Sequence, residues 1–226
     1  MTIIADSLQA VQANIREACL AANRIDTVKL LAVSKAQTAD KLRVAYLAGQ
    51  RAFGENYVQE AINKQAELSN CAIEWHFIGP IQSNKTALIA QHFDWVHSVD
   101  RLKIAARLNE ARPQNTVPLN VCIQMNSSDE ASKCGVDIDS LAILATEINE
   151  MPHLKLRGIM AIPAPTKEAA IQHAQFKIVA DAFKSLQLQG FALDTLSIGM
   201  SDDYVAAIHE GATIVRIGSA LFGART

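Results

Sequence analysis

The fold class this sequence predicts is α/β: a single (β/α)8 TIM-type barrel with an extra N-terminal helix. Three observations predict it. Short, apolar, β-rich runs alternate with longer segments of helical period along the chain. Eight such strand–helix units fit within roughly 200 residues, the length of a closed barrel. The first strand is followed by Lys35-Ala36-Gln37-Thr38, without the glycine-rich turn that opens a doubly wound sheet. No Gly/Ser linker or low-complexity stretch breaks the rhythm, so residues 1–226 are read as one domain.

The elements follow in order. A helical stretch over about Ser7 to Asn23 precedes the barrel and packs outside it. The predicted strands are Lys29–Ser34, Arg51–Gly54, Glu74–Ile78, Trp95–Ser98, Leu119–Gln124, Lys155–Ala161, Thr195–Ile198 and Thr213–Ile217. Helical spacing marks Ala39–Ala48, Tyr57–Leu68, Lys85–Gln91, Arg101–Arg112, Ile138–Glu150, Lys167–Leu188 and Asp202–Glu210. Thr38 and Ser83 are read as caps at helix starts, and Gly49 and Gly211 as helix stops.

Composition narrows the function. Half of the 226 residues are hydrophobic, enough for a large core. The charge is nearly balanced, 21 basic against 23 acidic residues, with no dense basic stretch, so a nucleic-acid partner is not expected. The start, MTIIADSLQA, lacks a basic n-region, and no apolar run is long enough to span a membrane. Cys19, Cys71, Cys122 and Cys134 form no CxxC pair and have no histidine at zinc-ligand spacing. They read as four reduced thiols of a cytoplasmic protein that holds no metal.

In a barrel of this kind, function collects at the C-terminal ends of the strands. Those ends carry Lys35, FGENY, WHFIGP, HSVD, QMNSSDEASKCG, MAIPAP, SIGMSDD and RIGSALFG. The last two strands are the usual place for a phosphate site. There Ser201 precedes a helix start with Asp202 and Asp203 in its first turn, and Gly218-Ser219 opens a short helical turn through Phe222. Each could be ordinary capping; together they read as a phosphate cradle.

Closure puts strand one beside strand eight, so Lys35 projects over the same mouth. A lysine at the end of a buried run otherwise reads as one that snorkels to solvent. Beside a phosphate cradle it reads as an amine for a phosphorylated carbonyl compound, and pyridoxal 5′-phosphate (PLP) is the leading candidate. Arg216, two residues before Gly218, faces the same side of its strand. It could meet the cofactor's pyridine nitrogen and keep it unprotonated, or pair with an interior carboxylate such as Glu55 or Asp100. Lys133, beside Glu130, is either an accessory amine or a solvated loop charge.

The blocks LLAVSK, FGENYVQE, WHFIGPIQSNK, HSVD, NSSDEASKCG, LRGIMAIP, LSIGMSDDY and VRIGSALFGAR occur in this order. Together they resemble the pyridoxal phosphate homeostasis protein family, from about residue 5 to the C-terminus. The resemblance implies a fold type III PLP-binding barrel, similar to the barrel domain of alanine racemase. It implies PLP held as an internal aldimine on Lys35, Arg216 near the pyridine nitrogen, and Ser201, Gly218 and Ser219 at the phosphate. Asn56 and Tyr57 would line the ring side, and Met200 would contact the cofactor. Ala36, Cys134 and Ser219 depart from the usual Thr, small polar residue and Thr; serine keeps the hydroxyl that a phosphate needs.

Three functions are compatible with such a site: a non-catalytic PLP carrier, a small PLP-dependent amino-acid racemase, and a lysine-dependent aldolase. A racemase needs a second acid/base, which related enzymes take from an added domain; this sequence stops after its eighth unit. Tyr57 or Lys133 could serve only weakly. An aldolase would more often carry its lysine in the middle of the barrel order. The expectation is a monomeric cytoplasmic carrier that buffers PLP and releases it to other amines, including PLP-dependent apo-enzymes.

Overall fold

The computed structural model describes residues 2–127 and 134–223; Lys133 and Glu130 lie outside them. Eight parallel strands close into a barrel in chain order, with β1 hydrogen-bonded to β8. They are β1 (Lys29–Val33), β2 (Ala52–Glu55), β3 (Glu74–Phe77), β4 (Trp95–Val99), β5 (Leu119–Met125), β6 (Leu154–Ala161), β7 (Thr195–Ser197) and β8 (Ile214–Ile217). The helices are α1 (Thr2–Ala21), α2 (Ala39–Leu47), α3 (Val58–Glu67), α4 (Thr86–His92), α5 (Leu102–Ala111), α6 (Ile138–Asn149), α7 (Ala169–Leu188), α8 (Tyr204–His209) and α9 (Ser219–Phe222). Helix α1 packs outside the barrel against α2, α8 and α9.

Each strand is buried on both faces, so its sequence reads as a near-continuous apolar run rather than an alternation. Outward residues such as Ala32, Phe53, Phe77 and Val215 join the main core between sheet and helices. Inward residues form two small apolar clusters, Leu31 with Ala52 and Ile214, and Trp95 with Cys122 and Met160. Between them the interior is polar: His76, His97, Ser197 and Arg216 are all buried.

Several local expectations are corrected. Neither Thr38 nor Ser83 caps through its side chain; the Thr38 carbonyl accepts from Lys41 and Leu42 N–H, and Ser83 lies within a 3-10 turn. Asp137 is a side-chain cap, accepting from Ser140 N–H at 2.7 Å. Helix α8 begins at Tyr204, two residues late, because the Asp203 carboxylate turns back to accept from Met200 N–H at 2.6 Å. Asp202 and Asp203 therefore stand before the helix, not in its first turn. Gly49 and Gly211 do stop their helices, at φ of 108° and 102°.

A bulge in β6 matters for the barrel floor. Val121 pairs with Leu156 and Cys122 with Gly158, which leaves Arg157 as the extra residue. It aims Arg157 over the Trp95 ring, 4.6 Å from the centroid, and into a pair with Asp194. Gly158 admits no side chain, since a Cβ there would lie 1.7 Å from the Thr195 carbonyl oxygen. Gly158→Ala is therefore expected to lower the denaturant midpoint far more than Gly190→Ala. At Gly190 nothing lies within 4 Å of an added Cβ, and only the left-handed backbone resists, at about 1–2 kcal/mol. Equal midpoints for the two variants would contradict this packing.

Candidate functional site at the barrel mouth

The β1–β8 ladder sets the site. Leu31 pairs with Arg216 and Ala32 with Ile217, so continuing the register by one residue brings Val33 against Gly218. That contact is close: a Cβ on Gly218 would lie 3.1 Å from the Val33 carbonyl oxygen. Lys35 follows two residues later and is half-buried. The mouth thus unites residues about 180 positions apart in the chain.

Lys35 sits in a rigid turn. The Gln37 N–H donates to the Ser34 carbonyl at 3.1 Å, and Ala36 adopts a left-handed φ of 58°. A non-glycine residue needs support in that conformation. A buried cluster behind the turn supplies it. Ala36 N–H donates to Glu60 Oε1 at 2.6 Å. Lys64 Nζ donates to Glu60 Oε1 at 2.6 Å, Glu55 Oε1 at 2.7 Å and the Ser34 carbonyl at 2.7 Å. The Ser34 hydroxyl donates to Glu55 Oε1 at 2.6 Å. Burial raises the Glu55 carboxyl above its usual range, against the pull of Lys64. Both neighbours of Lys35 are therefore tied to one ion-pair cluster, which the sequence reading did not single out. The signal was present in FGENYVQEAINK: Glu55 falls at the strand end, and Glu60 and Lys64 fall on one face of the next helix.

On the other side of the seam, Ser201 Oγ and Ser219 Oγ approach to 3.2 Å, so the two hydroxyls converge next to Gly218. The Met200 side lies half-buried beside a cavity of about 690 Å³ shared with Pro165, Thr166, Lys167 and Asp202. Asn56 follows β2, with its Oδ1 buried and unpartnered among the described residues. Its backbone is wedged by Gly79, where a Cβ would lie 2.2 Å from the Asn56 carbonyl oxygen. Tyr57 is exposed and lines an adjoining groove with Pro80, Gln82 and Lys85.

Arg216 lies in the interior and pairs with neither Glu55 nor Asp100. Glu55 faces outward to Lys64, and Asp100 pairs with Arg101. Arg216 is held instead by neutral acceptors. Nη1 donates to the Ser197 carbonyl and, at 2.9 Å, to Ser197 Oγ; Nη2 donates to the Ala161 carbonyl at 2.9 Å. Its Nε–H and second Nη2–H are not used by these bonds. Burial lowers its pKa to about 10, so it remains a cation at neutral pH. Cys122 below it is an inert thiol, pushed up to about 12 by burial.

The family model of the alanine racemase N-terminal domain matches residues 7–226. A pyridoxal phosphate homeostasis protein of Pseudomonas aeruginosa is 59% identical, over 100% of this chain and 97% of its own length. Its Escherichia coli counterpart is 51% identical over 100% and 98%. This chain belongs to the pyridoxal phosphate homeostasis protein family. Among solved structures, PipY of Synechococcus elongatus with PLP bound is 37% identical, with a TM-score of 0.86 over 97% of this chain and 100% of that one. Alanine racemase of Corynebacterium glutamicum shares the fold, at 20% identity, a TM-score of 0.70, 96% of this chain and 61% of that one. Among the described residues no helix is long and apolar enough to cross a membrane, and no acidic, histidine or cysteine cluster is fit to hold a metal.

Titration of the barrel interior gives a stability prediction for this family member. Burial holds His76 at about 4, below its ordinary 6.5, and lowers His97 as well. The unfolded chain therefore takes up protons that the folded barrel refuses, and stability falls as pH drops from 6.5 toward about 4. Glu74, held at about 2 by its hydrogen bond from His76 and by Lys29, adds stability above 4.5 that is lost as pH falls through about 2. The urea midpoint is expected to fall between about pH 7 and about pH 5, and to fall less in His76→Asn. A midpoint flat over that range would contradict the burial of neutral imidazoles.

Proposed function

We propose that this protein binds pyridoxal 5′-phosphate through Lys35 and serves as a non-catalytic holder of the cofactor in vitamin B6 homeostasis. The observation that carries this reading is the convergence of three unlike groups on one seam of the barrel. An amine at the end of β1, two hydroxyls beside a glycine at the end of β8, and an interior guanidinium all meet where β1 pairs with β8. When bound, the cofactor supplies an aldehyde that a primary amine can capture.

The residues present fit that molecule. Gly218 lets β8 pack closely on Val33 at the seam, and the Ser201 and Ser219 hydroxyls offer donors to phosphate oxygens. Arg216 has N–H groups left to donate to a ring nitrogen, and a guanidinium donor disfavours protonation of that nitrogen. Asn56 Oδ1 and Ser127 Oγ are buried polar atoms with no partner among the described residues, and a polar ligand at the mouth would satisfy them. Tyr57 and Met200 stand on opposite rims, where they would bound the ring and the phosphate.

The chain's own residues favour holding over turnover. The Glu55–Glu60–Lys64 cluster fixes the Lys35 turn from the outward side of the sheet, and the Oε1 atom of each carboxylate is occupied by Lys64, Ser34 or Ala36. None of them is a placed acid/base for a substrate carbon. The relatives named as homeostasis proteins point the same way. On this reading the protein is a cytoplasmic monomer that releases PLP to competing amines, including PLP-dependent apo-enzymes.

Incubation with PLP is expected to give the wild type a visible band at about 420 nm that borohydride removes, and to give Lys35→Ala none. A screen of amino acids against the loaded protein is expected to show no multiple turnover. A band retained in Lys35→Ala would move the anchor to another lysine, and sustained racemisation would replace the holder with an enzyme.

A further inference from the structure

A continuous hydrogen-bonded chain crosses the barrel interior from the mouth to the floor. Arg216 Nη1 donates to Ser197 Oγ at 2.9 Å, and Ser197 Oγ lies 2.9 Å from His97 Nδ1. His97 Nε2 lies 2.8 Å from His76 Nδ1. His76 Nε2 reaches Glu74 Oε1, which also receives Lys29 Nζ. The links come from β8, β7, β4 and β3, and the chain ends on the β1 residue Lys29 at the opposite face of the barrel.

The two ends fix the direction of every bond. A guanidinium has no lone pair to offer, and an ionised carboxylate has no proton to give. Ser197 accepts from Arg216, and since its oxygen has a second lone pair it is the Glu74 end, with both rings neutral, that directs the Ser197 proton to His97 Nδ1. His97 then donates from Nε2 to His76 Nδ1, and His76 donates from Nε2 to Glu74. Both imidazoles are neutral, with the proton on Nε2. The reverse order would set a bare His76 Nε2 lone pair against the Glu74 carboxylate. A cationic ring would have to be wholly buried beside a second imidazole, with Lys29 and Arg216 adding to the repulsion. Burial opposes that charge: His76 is wholly buried, with one face stacked on Trp95 at a centroid distance of 5.3 Å.

We propose that His97 and His76 are positioning residues for Arg216. By committing the Ser197 proton downward, they leave the Ser197 oxygen as a fixed acceptor and hold the guanidinium in one plane beneath the mouth. This rests on the reading of PLP over Arg216. An arginine so held stays a donor to the pyridine nitrogen and cannot tilt away from it, which keeps the bound cofactor a poor electron sink.

Nitrogen-resolved NMR of the histidines is the direct test. Both buried rings are expected as neutral Nε2–H tautomers across the neutral pH range, and either ring as Nδ1–H or as a cation overturns the chain. The functional readout is the cofactor itself. His97→Leu is expected to retain the visible PLP band but to shift its position and weaken PLP binding about tenfold, the loss of roughly one hydrogen bond to a charged group. If His97→Leu does not fold, Ser197→Ala is used, which leaves Arg216 both of its carbonyl acceptors. An unmoved band and unchanged dissociation constant in the folded variant overturn the positioning role. Absence of any band in the wild type is a different result: it overturns the cofactor reading, while the tautomer measurement still reports on the chain.

Discussion

Closure of the barrel through the β1–β8 ladder is the constraint on which everything else rests. Four register pairs, from Lys29 with Ile214 to Ala32 with Ile217, join the two ends of the chain in parallel. Parallel pairing at this sequence distance carries a loop-closure entropy that the burial of the sheet must offset. In return it fixes the height of Lys35 relative to Gly218 and Ser219 to within one residue of register. A one-residue slip would turn Arg216 from the interior to the helix layer and dismantle the mouth and the floor together.

Around that seam the protein keeps two separate polar systems. The outward one, Glu55, Glu60 and Lys64, lies between β2 and α3 and grips the backbone on both sides of Lys35. The inward one runs from Arg216 through two histidines to Glu74 and Lys29. Strand alternation keeps them apart, since Glu55 and Arg216 point to opposite faces of the sheet. Each would be costly if half-satisfied, and each is nearly complete. Glu55 Oε2 is the exception, a buried oxygen with no partner among the described residues. The division of labour is physical: one system sets where the amine stands, and on the proposed reading the other sets what a bound cofactor ring would meet.

Much of this was legible in the sequence because parallel barrel strands are short, apolar and regularly spaced. The eight strands fell within about one residue of their observed ends, and the seam of Lys35 with Gly218 and Ser219 followed from barrel order alone. What failed was local. Thr38 takes the N-cap position of α2 but neither it nor Ser83 makes a side-chain cap bond, and Asp203 spends its carboxylate on Met200 N–H before the helix begins. Such choices turn on a single hydrogen bond, which periodicity does not register. The partner of Arg216 was missed for another reason. A buried cation is expected to hydrogen-bond to an anion, whereas here two carbonyls and a hydroxyl take its hydrogen bonds and the Asp203 carboxylate acts on it only through its charge. His76 and His97 stood in the quoted strand ends WHFIGP and HSVD, at inward positions, and only the closed barrel shows that they touch.

The central claim is that Lys35, at this seam, is where PLP is held. Reduction of the PLP-loaded protein with borohydride, followed by mass mapping of its peptides, tests it most directly. The account predicts one modified residue, Lys35, with Lys64 and the other lysines unmodified. A reduced adduct found chiefly on another lysine, or spread over many, would contradict it.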